Sequence, residues 1–220
     1  MKKLIALIVF AMASSAAFAC PAAVPDKSLV DSLESQAPGL KSDVLKLAIN
    51  AEQCAAQQGL VKRTDTLTVI DYSMPSTTPR LFVFNLVTHK LLFRELVAHG
   101  KNSGDNVTSF FSNSPSSLAT SLGLYVTADT YIGKNGYSLR LKGLDEGFND
   151  MAWDRAIVMH GASYVSQEAI KVLGRLGRSW GCPAVSSTVA QKIIDTIRGG
   201  SAIFSYYPDK QWLSKSAFLH

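Results

Sequence analysis

Residues 177–185 read Gly177-Arg178-Ser179-Trp180-Gly181-Cys182-Pro183-Ala184-Val185, a cysteine set between a glycine and a proline. The two glycines and the proline make this stretch a loop rather than a helix or strand interior, with Pro183 stiffening its exit. Upstream, the β-type run Arg155-Ala156-Ile157-Val158-Met159 ends on His160-Gly161, and a short helical pattern separates the two segments. A thiol attacks a carbonyl as thiolate, so it needs a neighbour that takes its proton, most often a histidine. A strand ending on His160 and a helix that turns the chain back bring His160 and Cys182 into range. Gly161 and Gly181 let a substrate backbone approach, and the amides of Gly181 and Cys182 are placed to face an oxyanion. A thiol used in this way is expected to alkylate below the pH of a free cysteine. The alternatives at this point are a buried, inert cysteine and a metal ligand. The second has no CxxC or HExxH spacing to support it, so neither metal nor cofactor is expected.

Outward from that loop, β texture dominates. Leu67–Tyr72, Arg80–Leu86, Leu91–Val97, Leu124–Thr127, Tyr137–Leu141 and Ser201–Tyr206 are short runs rich in β-branched and aromatic residues, with a hairpin expected around His89. Gly100 to Leu122 is rich in Gly, Asn and Ser and reads as a long functional or covering loop. Ser166 can cap a short helix through Leu173, and Val189, Ile193, Ile194 and Ile197 mark another. Ahead of the strands, Leu29, Val30 and Leu33, then Leu40, Val44, Leu47, Ala48, Ala51 and Ala55, recur at helical spacing around the break Pro38-Gly39. The expected class is β-rich α+β: a mixed, sandwich-like β core with short helices, and an N-terminal helical pair packed outside it.

The chain opens with Lys2-Lys3, an apolar run and small residues ending Ala17-Phe18-Ala19, the pattern of a secretory signal. The expected organisation is therefore a leader over 1–19, a helical segment over 20–62 and one main domain over 63–220. No later segment has membrane-spanning length, so an exported protein of the periplasm or cell envelope is expected. Cleavage after Ala19 makes Cys20 the first residue and raises lipid anchoring there. That reading is the weaker one, because Ala17 stands where lipid-attachment sites carry a Leu-like residue. Of three cysteines, Cys20 and Cys54 share the N-terminal region, so either they pair or Cys54 is a small buried filler; Cys182 is left over in both cases. The formal charge of +5 is scattered, with no basic run or aromatic platform, so no nucleic-acid partner is expected.

His160-Gly161-Ala162 followed by Ser179-Trp180-Gly181-Cys182 resembles the histidine and S-x-G-C signatures of the murein L,D-transpeptidase catalytic domain family. The likeness extends over Arg80–Leu86, His99–Gly104, Phe111–Asn113, Ser121–Tyr125, Tyr137–Leu144 and Gly174–Val185, and so spans about Thr66 to Tyr206. It implies a cysteine acyltransferase acting on peptidoglycan stem peptides. Cys182 attacks the carbonyl of the third stem residue, releases the terminal D-Ala, and passes the acyl group to an amine on a second stem. His160 is then the base, its ring oriented by the carbonyl of Gly161, and carbapenems are expected to acylate Cys182. Water as acceptor gives an L,D-carboxypeptidase instead, and a wall-binding module without catalysis is the alternative of another class.

The loop departs from the family's common form at Trp180 and at Ala184, where an arginine is frequent. Arg178 and Arg140 are the candidates to grip the donor carboxylate in its place, since a guanidinium can hold a carboxylate through two hydrogen bonds. Ser179, Trp180 and Tyr164 complete the expected substrate contacts. His99, in its own His-Gly pair, reads as a strand-end histidine bonded to backbone or as a second group at the cleft. No G-x-S-x-G surrounds any serine.

Overall fold

The computed structural model describes residue 20 and residues 25–220; the leader expected over 1–19 lies outside them. Helix α1 (Lys27–Gln36) starts at Asp26, whose carboxylate accepts the Ser28 N–H, and α2 (Ser42–Gln57) follows the turn at Gly39. Leu33, Val44, Ala48, Ala51 and Ala55 are buried as their spacing predicts, Leu47 is only half-buried, and Leu45 and Ile49 are buried beside them. Cys20 and Cys54 form a disulfide with Cα atoms 5.7 Å apart, which ties residue 20 to α2. A sulfur in this bond is not free to carry a thioether lipid.

The strands are β1 (Arg63–Asp71), β2 (Leu81–Asn85), β3 (Lys90–Glu95), β4 (Val97–Ala98), β5 (Gly123–Gly133), β6 (Gly136–Gly143), β7 (Val158–Ala162), β8 (Ala184–Ser186) and β9 (Ser201–Tyr206). They form one mixed sheet in the order β3-β2-β1-β9-β5-β6-β7-β8-β4, with β1–β9 and β7–β8 parallel. Its two edge strands, β3 and β4, are separated in the chain only by Leu96, so the edges must lie side by side and the sheet curls until it is nearly closed. Curling of this kind leaves little unpaired edge exposed.

Both faces of the sheet are covered. Leu67, Val69, Phe82, Phe84 and Phe204 turn outward into a core shared with α1, α2 and Trp212 of α5 (Lys210–Lys215). Ile70, Leu81, Val83, Leu139, Met159 and Ile203 turn inward, where α4 (Ala190–Ile197) adds Ile193, Ile194 and Ile197. Positions on both sides of β1, β2 and β9 are buried, so these runs are apolar without alternation, whereas β3 alternates between exposed and half-buried positions. The two-layered core expected from sequence is thus one sheet folded on itself, in a β-rich α+β chain with short helices, including α3 (Gln167–Leu173).

The strand expected at Arg155–Met159 is shifted. Arg155 and Ala156 lie in a turn, Ala156 at φ 52°, and β7 begins at Val158 and runs on through His160. The turn is closed by hydrogen bonds from Arg155 N to Met151 O and from Ile157 N to Ala152 O, which preclude ladder pairing there.

Candidate active site

His160 and Cys182 arrive from neighbouring strands. His160 sits in β7 beside Ala184 of β8, and Cys182 is two residues ahead of Ala184. The Cys182 Sγ lies 3.8 Å from the Ala156 carbonyl and faces the Val158 amide, at the start of β7. Val158 and His160 are two apart on one strand, so their side chains share the outer face of the sheet. The thiol is therefore held at the start of the strand that carries His160. His160 is buried, and its Nδ1 lies 3.0 Å from the Gly161 carbonyl. A carbonyl only accepts, so Nδ1 carries the proton and Nε2 is left as the ring's acceptor in the neutral form.

The cysteine turn is closed by Ser179. Its Oγ accepts the Gly181 N–H at 3.1 Å and donates to the Cys182 carbonyl at 2.6 Å. The Gly181 amide expected to face an oxyanion is thereby committed within the turn, and Cys182 N–H is the donor that remains. Gly181 has φ 122°, and a Cβ on it would stand 2.7 Å from the Ala119 carbonyl and 3.3 Å from Arg155 Nη2. Glycine is required there both by conformation and by space. Gly181→Ala is expected to slow the acylation of Cys182 about a hundredfold while costing about 1–3 kcal/mol of stability, read by acylation kinetics and urea unfolding.

Burial pushes the Cys182 thiol above its ordinary pKa, against the opposing pull of the Val158 amide and the Arg155 cation. Desolvation thus acts against the sequence-based expectation of a thiol that titrates below a free cysteine. With the thiol pushed up, a base must take its proton as the sulfur attacks.

The two arginines nominated from sequence differ in their surroundings. Arg178 Nη1 donates to the carbonyls of Lys101 and Gly104 and to Asp105 Oδ1 at 2.9 Å, so it fastens the 101–105 segment. Arg140 pairs in register with Val158 of β7, and Ser138 with His160, which places Arg140 on the histidine's face of the sheet. Its guanidinium lies 4.6 Å from the Tyr131 ring and 5.3 Å from the Trp153 ring, and among the described residues it has no hydrogen-bonded acceptor. Trp180 projects from the turn at 70% exposure, and Tyr164 packs over Gly177, where a Cβ would meet it at 2.4 Å. Burial and the neighbouring Cys182 raise the Tyr164 hydroxyl to about 12, so it stays neutral.

His99 is not a second base. Arg80 Nη2 donates to its Nδ1 at 2.7 Å and its Nε2 faces the Gly104 carbonyl at 3.3 Å, which leaves neither ring nitrogen free. Ser103 is likewise structural: its Oγ accepts the Thr120 N–H inside the long loop. Sequence reading missed Arg155 altogether, because an arginine opening an apparent strand carries no signal of what its side chain will meet.

The L,D-transpeptidase catalytic domain model matches residues 36–206, and the chain belongs to that family. No curated protein matches it in sequence. Among solved structures, an L,D-transpeptidase from Mycobacterium smegmatis is 15% identical with TM-score 0.41, the match covering 65% of this chain and 59% of that one. An L,D-transpeptidase from Xylanimonas cellulosilytica is 14% identical with TM-score 0.37, over 81% and 91%. The helical cell shape determining protein Pgp2 from Campylobacter jejuni is 13% identical with TM-score 0.42, over 69% and 51%. This chain thus spans about three fifths of the length of the M. smegmatis protein.

Proposed function

We propose that this protein is an exported peptidoglycan L,D-transpeptidase. The observation that carries the reading is the Cys182 thiol held at the start of β7, the strand that also carries His160 with its Nδ1 fixed by the Gly161 carbonyl. In the first step Cys182 Sγ bonds to the carbonyl carbon of the third stem residue. The thiol proton passes through His160 Nε2 to the nitrogen of the departing D-Ala, whose C–N bond breaks. In the second step an amine of another stem attacks the thioester, the C–S bond breaks, and the amine's proton returns through His160 to sulfur. The oxyanion of each step forms next to the Cys182 N–H.

Arg140 is the residue proposed to hold the donor's carboxylate, in preference to Arg178, whose guanidinium already has Asp105. Arg140→Gln is expected to raise the KM for a tetrapeptide donor about tenfold or more with kcat little changed, whereas Arg178→Gln acts chiefly on stability. Steady-state kinetics on both variants with urea melts separates the two roles. Trp180 and Tyr164 form the apolar walls of the same cleft.

The product decides between transfer and hydrolysis. Incubation with tetrapeptide muropeptides followed by mass analysis is expected to give cross-linked dimers; trimmed tripeptides alone mean an L,D-carboxypeptidase, and unchanged substrate overturns the catalytic reading.

A further inference from the structure

We propose that the Arg155 guanidinium fixes the 112–121 segment over the Gly181–Cys182 turn and is the positive charge against which the Cys182 thiolate forms. This rests on Cys182 being the nucleophile. Arg155 Nη1 donates to the Ser112 carbonyl at 2.7 Å and to Ser121 Oγ; Nη2 donates to Ser117 Oγ at 3.1 Å and to the Ala119 carbonyl at 2.7 Å. One side chain therefore gathers four points of the long loop, two of them main chain. Every acceptor is neutral, and among the described residues no carboxylate forms an ion pair with Arg155. Its charge is thus left uncompensated by the groups that hold it.

That charge is delivered at the cysteine turn. The Gly181 Cα, the Ala119 carbonyl and Arg155 Nη2 crowd one spot, as shown by the contacts a Cβ on Gly181 would make. The neighbouring residue Ala156, at φ 52°, turns its carbonyl to the thiol 3.8 Å away. A single tight turn before β7 thus supplies both the acceptor for the neutral thiol and the cation for the thiolate. The titratable groups facing Cys182 are Arg155, Tyr72 just after β1, and Tyr164 after β7, and His160 lies further along β7. Both tyrosines are raised by burial, so Arg155 is the fixed charge among them. The Arg155 cation pulls the thiol down while burial pushes it up, and the thiol in turn favours the charged arginine. Because the clamp fixes the cation before substrate arrives, it needs no reorganisation as the sulfur ionises.

The test is the pH profile of Cys182 alkylation by iodoacetamide, read by intact mass on the disulfide-intact protein, alongside its rate of acylation by a carbapenem. In Arg155→Gln, which keeps an amide donor and removes the charge, the alkylation midpoint is expected to rise by about one unit, with about tenfold less alkylation at neutral pH. In Ser117→Ala/Ser121→Ala, which keeps the charge and loosens the clamp, the midpoint is expected to hold while carbapenem acylation slows. A folded Arg155→Gln protein with the wild-type midpoint overturns the proposal. If Arg155→Gln does not fold, the double serine variant decides: a held midpoint with slowed acylation supports the proposal, and a moved midpoint or an unchanged acylation rate overturns it. Alkylation reads the thiol whether or not cross-links form, so failure of this inference is distinguishable from failure of the transpeptidase reading.

Discussion

Cys182→Ala is expected to lose muropeptide exchange and carbapenem acylation by at least about 10⁴-fold, because no other group in the site can form the covalent intermediate. The fold should survive. Cys182 is only half-buried, and the turn around it is closed by Ser179, whose hydroxyl bonds to the main chain of residues 181 and 182 and not to the sulfur. The expected loss of stability is about 1 kcal/mol or less, the cost of a small partly buried side chain. Intact mass after carbapenem exposure and product analysis on purified tetrapeptide muropeptides give the readout. Transfer that persists in a folded Cys182→Ala protein ends the acyl-enzyme reading. His160→Gln should leave alkylation of the thiol at high pH intact while removing the base, so its defect should shrink as pH rises toward thiol ionisation.

Arg80→Met is expected to be the most destabilising substitution near the site, at about 3 kcal/mol or more by urea unfolding. Arg80 is fully buried. Its Nε and Nη2 donate to the Val97 carbonyl, Nη1 to the Met74 carbonyl at 2.8 Å, and Nη2 also to His99 Nδ1, with the Tyr72 ring 4.9 Å away. Methionine fills similar space but leaves these acceptors buried without a donor, each at about 1–3 kcal/mol. The damage reaches the cysteine loop, since Val97 and Ala98 form the strand that pairs with Val185 and Ala184. A pH signature accompanies it. Burial first, and Arg80 second, lower His99 to about 4. A depressed histidine contributes stability that is full above its unfolded value of about 6.5 and is lost as pH falls from there toward 4. Removing Arg80 removes part of that depression, so the acid-side loss of stability should be shallower in Arg80→Met than in wild type. Urea midpoints at several pH values between 7 and 4 check both the size and the slope.

The helical pair, the His89 hairpin and most strands were legible because each is encoded locally: stripes at three and four residues, β-branched runs, and turn residues at their ends. Cys182 and His160 stood out as candidates for a related reason, since Gly-Cys-Pro and His-Gly are local patterns that sequence shows directly. What failed did so where a local pattern was overruled by a distant partner. Arg155-Ala156 looks like the start of a strand, yet Arg155 is drawn out of it by four acceptors between Ser112 and Ala119 and at Ser121. Arg178 looked free to bind substrate because nothing in its neighbourhood of the chain predicts Asp105. The Gly181 amide looked like an oxyanion donor because its partner, the Ser179 hydroxyl, has several other choices in an unfolded loop.

By itself the sequence determined the class of fold, through periodicity and turn residues, and the family, through motifs that resemble the L,D-transpeptidase catalytic domain. Only the tertiary structure decided what surrounds the thiol. Curling one sheet until its edges approach surrounds Cys182 so that burial pushes its thiol up, commits Arg178 and His99 to structural partners, leaves Arg140 open on the histidine's face, and brings Arg155 to the cysteine turn. Desolvation and charge at a site depend on which distant segments close over it, and that is settled by the packing of the whole sheet rather than by any one stretch of chain.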